Sequence, residues 1–465
     1  MRPFTLLPAL SACLAGALSL SAQAFCGFYV GKADSTLFNE ASQVIVARDG
    51  ERTVISMQND YRGDLKEFAL VVPVPTVLKQ GQVNVGDKRI FDRLDAYSAP
   101  RLAEYFDENP CDRRRDKMSD MSASRAQGAP AAKTEMMEKK ALGVTVEASY
   151  SVGEYDIVIL SAKESDGLET WLTQNGYRLP RGTARALAPY IRLNMKFFVA
   201  KVNLKEQAAS GFATLRPLQF AFESEKFMLP LRLGMINARG PQDLIVYMLT
   251  RNGRVETTNY RTVKLPANME IPTYIKNDFG GFYKAMFKAQ AQKDGNSAVY
   301  TEYFWDMSWC DPCAANPLNP DELKQAGVFW LNRPDGSDSN GPSVMQRRAM
   351  PMPQGAAQAM LTRLHVRYTP ATFPEDLVFQ ETRDRANFQA RYVLRHPWTG
   401  SPNECPEAQS YFQQVSRRQE AEARQLASLT GWELDSIRGR MDLRPAGGRD
   451  GGRGGNEGWW PWKQN

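Results

Sequence analysis

The chain has 465 residues, 43% hydrophobic and 24% charged, with a net charge of +6. That is an ordinary globular composition, long enough for two or three domains and for a large core that needs no cysteine staples to hold it. The positive charge is scattered, with only Arg113-Arg114-Arg115 and the pairs Arg347-Arg348 and Arg417-Arg418 standing out. The reading therefore includes no nucleic-acid partner, and after the first two dozen residues no apolar run is long enough to span a bilayer.

Met1-Arg2 is a short basic start, Phe4 to Leu20 is mostly apolar, and Ala22-Gln23-Ala24 has the small-x-small form of a cleavage site. These features read as a secretory signal peptide over residues 1–24, with a mature chain starting at Phe25-Cys26-Gly27 in the periplasm or outside the cell. A second reading of the leader takes Leu10-Ser11-Ala12-Cys13 as the site of a lipid-anchored cysteine at Cys13. It leaves an apolar core only about half the usual length.

Ala41 to Arg48 and Thr53 to Gln58 alternate as half-buried strands around the turn Asp49-Gly50. Phe68 to Val74 reads as a buried strand, and Ile90 to Tyr97 and Arg101 to Phe106 as short helices, the second opening at Pro100. Asp112 to Lys140 has no aromatic residue and too little apolar surface to offset its ordering entropy, so it reads as a disordered insertion. Strands are expected over Val144 to Val146, Tyr155 to Ser161, Lys196 to Asn203, Leu215 to Glu223, Phe227 to Leu233 and Asp243 to Thr250. Between them lie helices over Asp166 to Asn175 and Thr183 to Ile191. Asp166 and Glu169 have capping-box spacing, and Gly176 suits a left-handed stop. Arg251-Asn252-Gly253-Arg254 predicts a type I′ hairpin returning as a strand over Val255 to Val263.

A helix follows over Phe279 to Gln292, then a strand over Ala298 to Phe304 and a long polar loop over Asp335 to Gln358. Strands over Leu361 to Tyr368 and Gln389 to Arg395 lead to a long helix, Glu404 to Leu429, and a second helix over Trp432 to Met441. Ala446 to Gly458 is a Gly/Arg tail ending in Trp459-Trp460-Pro461-Trp462. The expected class is α+β, with antiparallel hairpin-rich sheets, packed helices and a long C-terminal helix. The expected divisions are an N-terminal α+β region at 25–111, an insertion at 112–141 and a central α+β domain at 142–335. A loop at 336–358, C-terminal strands and helices at 359–445 and a tail at 446–465 complete the chain.

The sharpest chemical motif is Trp309-Cys310-Asp311-Pro312-Cys313. It resembles the active-site turn of thioredoxins, in which a helix N-terminus lowers the pKa of the first thiol and the second resolves a mixed disulfide. Pro317 and Pro320 follow too closely for a long helix to run on from it. A structural disulfide is the plainer reading of Cys310 and Cys313, a thiol–disulfide oxidoreductase the alternative. Zinc needs a second ligand pair that the sequence does not offer, so neither a metal nor a cofactor is expected.

The two histidines, His365 and His396, are isolated and read as packed or hydrogen-bonded rather than catalytic. Glu223 and Glu225 form a carboxylate pair, read as a solvated strand face. Trp459, Trp460 and Trp462 on a tail suit a partner or an interfacial contact, the partner being an envelope protein or polymer.

Six cysteines include Cys13 in the leader, which leaves the odd set Cys26, Cys111, Cys310, Cys313 and Cys405. The preferred pairs are Cys26 with Cys111 and Cys310 with Cys313, leaving Cys405, although sequence alone permits about fifteen arrangements.

Several segments together resemble an exported bacterial family of unknown function. They are Ala24-Phe25-Cys26-Gly27-Phe28-Tyr29-Val30, Val72-Pro73-Val74-Pro75, Val152-Gly153-Glu154-Tyr155-Asp156 and Trp171-Leu172-Thr173-Gln174-Asn175-Gly176-Tyr177. Thr362-Arg363-Leu364-His365-Val366-Arg367-Tyr368 and Leu429-Thr430-Gly431-Trp432 complete the set. The resemblance implies export and cysteine pairing, and it implies no activity. The functional expectation is a non-enzymatic, disulfide-stabilised binding or envelope component.

Overall fold

A computed structural model of the chain describes residues 28–31, 38–62, 68–112, 144–180, 182–209, 215–236, 240–309, 311, 314–332, 358–441 and 443. The described helices are α1 (Lys88–Ser98), α2 (Ser165–Gln174), α3 (Thr183–Arg192), α4 (Leu204–Ala209), α5 (Phe279–Lys293), α6 (Pro320–Gln325), α7 (Pro406–Thr430) and α8 (Leu434–Arg440). With many strands in mostly antiparallel sheets, this is an α+β protein with a long C-terminal helix.

Two sheets dominate. The central sheet runs Arg261–Lys264, Ala298–Asp306, Met360–Tyr368, Gln242–Thr250, Phe38–Asp49, Arg52–Arg62, Leu218–Glu223, Val83–Val85, with Phe388–Gln389 added beside Ala298–Asp306. It thus takes strands from early, middle and late stretches of the chain. A five-stranded antiparallel sheet runs Phe28–Gly31, Phe68–Val74, Lys196–Val202, Tyr155–Ala162, Val144–Val152.

The two sheets face each other because their strands alternate. Leu70, Val72, Ile157, Ile159, Phe198 and Ala200 from one meet Val44, Val46, Ile55, Met57, Leu218, Phe220, Leu244, Val246, Leu364 and Val366 from the other in one apolar cluster. Each large side chain buried in this way contributes about 1.5–3 kcal/mol. The outer face of the five-stranded sheet is covered by α2 and α3 through Leu168, Leu172, Leu187 and Tyr190. The outer face of the central sheet is covered by two separate apolar groups. Ile90, Phe91 and Leu94 of α1 pack on Ile45, Tyr247 and Tyr303. Farther along, Phe282, Met286 and Phe287 of α5 join Tyr300, Leu426 of α7 and Ile437 of α8.

Local pattern is borne out where it is strongest. Phe68–Val74 is a strand, Phe38–Asp49 and Arg52–Arg62 pair as expected, Gly50 takes the left-handed conformation at their turn, and Gly176 does so after α2. Four expectations need correction. Arg101–Phe106 is a strand, not a helix, because it lies parallel to Arg391–His396 in register Arg101↔Arg391. Six residues are too few to hold a helix on their own, and a long-range pairing decides. The stretch 251–254 makes no hairpin: Gln242–Thr250 pairs with Met360–Tyr368 and Phe38–Asp49, and Val255–Thr257 pairs with Leu377–Glu381. Gly253 serves close approach, since a Cβ there would sit 2.2 Å from the Thr382 carbonyl oxygen. The N-cap of α2 is Glu164, without a side-chain cap bond, so the cap falls two residues before Asp166, where the spacing to Glu169 suggested it. Phe227 to Leu233 is a strand only over Met228–Leu229 before a short 3-10 turn, Arg232–Met235.

The disulfide map is also corrected. Cys111 is bonded to Cys405, 294 residues away, which overturns the Cys26–Cys111 pair and the reading of Cys405 as the odd thiol. The parallel strands Arg101–Phe106 and Arg391–His396 release their chains at the same end, and those chains carry Cys111 and Cys405 to one place. Cys405 is the N-cap of α7, followed by Pro406 at the first helical position, where proline is favoured. Cys26, Cys310 and Cys313 lie outside the described residues, as do most of the insertion and polar loop and all of the tail with Trp459, Trp460 and Trp462.

A bond closing so long a loop removes much conformational freedom from the unfolded chain. Cys405→Ser is expected to lower unfolding free energy by about 3–5 kcal/mol, measured as a fall in the urea midpoint. A change under about 1 kcal/mol would show that the bond contributes little.

Candidate binding cleft

The apolar layer between the two main sheets reaches the surface at one end. There Ile55 and Met57 of Arg52–Arg62, Phe220 and Phe222 of Leu218–Glu223, and Val72, Pro73 and Pro75 of the opposite sheet line a cleft of about 260 Å³. Leu193 and Met195 close one side, where the chain turns from α3 into Lys196–Val202 through Asn194 in a left-handed conformation (φ 54°). Ser224, Glu225 and Lys226 form the polar rim, ahead of Met228, Leu229 and Pro230. The rim loop is fixed from beneath. Arg48 donates to Thr53 Oγ1 at 2.7 Å and to the carbonyls of Ser224 (3.0 Å) and Glu225 (3.3 Å), and stacks on Phe227 at 4.7 Å. The wall is therefore rigid, apolar and preformed, with its only charges at the mouth, as small binding sites usually are.

A second constellation lies on the outer face of the central sheet, between the apolar groups under α1 and α5. Glu302, fully buried, accepts from Arg363 Nε at 2.5 Å, from Tyr283 Oη of α5, and pairs with His365 Nδ1 at 2.7 Å. Arg363 also donates to Asp95 of α1 at 2.6 Å and to Tyr247 Oη at 3.2 Å. Arg367 grips Asp243 with two bonds of 2.7 and 2.6 Å, and the same carboxylate stands 3.4 Å from His365 Nε2. Phe287 stacks on the imidazole at 3.8 Å between centroids.

The charges balance when His365 is protonated: Asp95, Asp243 and Glu302 against Arg363, Arg367 and His365. Burial alone would raise the Glu302 carboxyl, but Arg363 and His365 outweigh it and hold it at about 2. Burial likewise works against His365, and the Glu302 and Asp243 carboxylates outweigh it and raise its pKa above 6.5. The Glu302 side chain is fully buried, and the network joins α1 and α5 to the central sheet. Removing one partner from such a buried pair typically costs about 3–5 kcal/mol.

The remaining expected residues are dispersed. His365 is hydrogen-bonded as expected, and His396 Nε2 is 2.9 Å from Glu104 with Phe106 stacked on its ring. Glu225 stands on the cleft rim, while Glu223 ends its strand, exposed. In the Cys-x-x-Cys stretch, Trp309 is 65% exposed, whereas Asp311 is buried, accepting from Tyr303 Oη (3.0 Å) and Gln389 Nε2 (3.1 Å). The next helix, α6, starts only at Pro320 with Asn319 as its cap. Among the described residues no group of three His, Cys, Asp or Glu is placed to hold a metal ion. None of the described helices is long and apolar enough to cross a membrane.

Sequence reasoning missed the cleft, whose walls come from four separated segments. The one available signal was Val72-Pro73-Val74-Pro75, whose prolines end a buried strand at an open edge.

Fold and site define a disulfide-bearing α+β protein, a two-sheet sandwich with an apolar mouth and helices on both outer faces. The chain belongs to the family DUF2330, described as an uncharacterized protein conserved in bacteria, whose family model matches residues 20–380. No curated protein and no solved structure matches it.

His365 gives the network a definite pH response. Its folded pKa lies above the unfolded value, so its contribution is complete below about pH 6.5 and is lost as pH rises through the folded pKa. Unfolding free energy is expected to fall over that interval in the wild type. His365→Gln should lower stability at about pH 6 and remove that part of the decline, measured by urea titration at a series of pH values. An unchanged slope in the variant would contradict a charged His365.

Proposed function

We propose that this protein is an exported, disulfide-stabilised binding component of the bacterial envelope, with no catalytic step of its own. In this reading it takes an apolar side chain of a partner polypeptide into the cleft. The observation that carries it is the cleft itself, an apolar space of about 260 Å³ at the sandwich mouth, with Ser224, Glu225 and Lys226 at the rim. That volume is just below the usual small-molecule range of about 300–1,000 Å³, which favours a side chain over a whole ligand. Membership of an uncharacterized family supports no activity. The leader over residues 1–24 and the Cys111–Cys405 bond both suit an oxidising compartment.

The alternative, a thiol–disulfide oxidoreductase using Cys310 and Cys313, draws less support. Asp311 is tied into the core between them in sequence, and α6 begins seven residues after Cys313, so neither cysteine stands in the first turn of that helix, as the thioredoxin-like turn requires.

Anilinonaphthalene sulfonate is a suitable probe of the cleft. Leu193, at the rim and 47% exposed, can be changed without emptying the core. Leu193→Glu is expected to weaken probe binding at least about tenfold, or about 1.4 kcal/mol, with the urea midpoint unchanged. Equal affinity in both proteins would remove the cleft as the binding site.

Export is tested by intact mass of the protein recovered from cell fractions. The expected species is periplasmic and begins at Phe25. A chain retaining Met1 in the cytosol would overturn export, and a lipid-modified Cys13 at the new N-terminus would replace the soluble form with an anchored one.

A further inference from the structure

Helix α7 is held to the three-stranded sheet Met269–Glu270, Arg391–His396, Arg101–Phe106 by a second cluster of charges, independent of the cleft. Asp107, just past the end of Arg101–Phe106, accepts from Arg418 Nη2 at 2.8 Å and from Tyr411 Oη at 2.7 Å, both on α7. Arg395 of the middle strand stands 3.7 Å from Asp107 and 3.0 Å from Glu270. Glu422, one turn beyond Arg418, is only 4% exposed, and its Oε1 has no hydrogen-bond partner. Its nearest cation is Arg418 Nε at 3.4 Å, itself without a hydrogen bond.

The charge count shows what is odd about this carboxyl. Asp107 and Glu270 already balance Arg395 and Arg418. An ionised Glu422 adds a third negative charge against two cations, in a buried place and facing at 3.4 Å an Arg418 already engaged by Asp107, whereas a protonated Glu422 leaves the cluster neutral. The other elements against α7 offer it no relief. Lys293 of α5 donates to the Ser428 carbonyl, and Arg438 of α8 is engaged by Glu420 and Asp435.

We propose that Asp107, Glu270, Arg395, Arg418 and Glu422 form a pH-sensitive latch, closed by one proton on Glu422, that seats the middle of α7 on the three-stranded sheet. When that proton leaves, the excess negative charge is relieved by lifting the helix so that water reaches the carboxylate. The Cys111–Cys405 bond still ties the N-terminal end of α7, so the helix loosens about a fixed point rather than departing. Burial, the main cause, raises the Glu422 pKa to about 7, with Glu270 and Asp107 adding to it against Arg418 and Arg395. The folded value thus exceeds the ordinary one, and the native state is favoured by protonation and disfavoured as pH rises through about 7.

Hydrogen exchange of the full-length protein tests this, read at amides of residues 411–429 and corrected for the intrinsic rate at each pH. In the wild type, protection of this stretch is expected to fall about tenfold between about pH 5.5 and pH 8.5. Glu422→Gln supplies a neutral side chain of the same shape and should keep protection high across the range. The titration of His365 acts equally on both proteins, so the difference between them isolates the latch. A Glu422→Gln profile as pH-dependent as the wild type would overturn the proposal. So would a wild-type profile that is flat, whatever the variant does.

Discussion

The ion pair between Glu302 and Arg363 is the interaction on which the layered arrangement turns. The central sheet has two faces to cover, and the inner one packs on the five-stranded sheet, with Leu229, Val255, Leu377 and Phe379 of a three-stranded sheet joining the same cluster. The outer face is shared by α1 and α5, which bring separate apolar groups and leave a strip between them. That strip carries Glu302, Arg363, His365, Asp243 and Arg367, and each side chain satisfies a neighbour from a different element. Asp95 from α1 and Tyr283 from α5 are bonded into the same set, so the network fixes both helices relative to the strands. An apolar strip would hold them as strongly but would specify their positions less sharply, since dispersion contacts have little direction.

The cleft follows from the same geometry on the inner face. Two twisted sheets packed face to face diverge toward their ends. Where Arg52–Arg62 and Leu218–Glu223 face Phe68–Val74, the apolar layer opens instead of closing. Pro73 and Pro75 suit that edge because they carry no N–H that would need a ladder partner. Arg48 keeps the rim loop from collapsing into the opening by holding two of its carbonyls.

Sequence made the locally determined parts legible. The alternation in Phe38–Asp49 and Arg52–Arg62, the apolar run Phe68–Val74 and the apolar stripe of α5 each lie within a dozen or so neighbouring residues, where periodicity is informative. Features built by distant segments were not legible. Arg101–Phe106 becomes a strand because of a partner some 290 residues later, and Cys111 meets Cys405 for the same reason. His365 could be read as hydrogen-bonded, but the identity of its partner required knowing that Ala298–Asp306 lies beside Met360–Tyr368, with Tyr300 opposite His365 and a register shift at Glu302. Glu422 looked like one more polar residue on a long helix, since nothing nearby in the chain marks it as a buried carboxyl whose Oε1 has no hydrogen-bond partner.

The Cys111–Cys405 bond has a consequence for biogenesis. If the polypeptide is threaded across a membrane from its N-terminus, Cys26 and Cys111 reach the oxidant long before Cys405, and oxidation in order of arrival would join the wrong partners. The native link can then arise only late, once all but the last sixty or so residues have emerged, and by exchange through a mixed disulfide if an early bond has formed. Under those two conditions, threading and an early bond, maturation would need an isomerase as well as an oxidant.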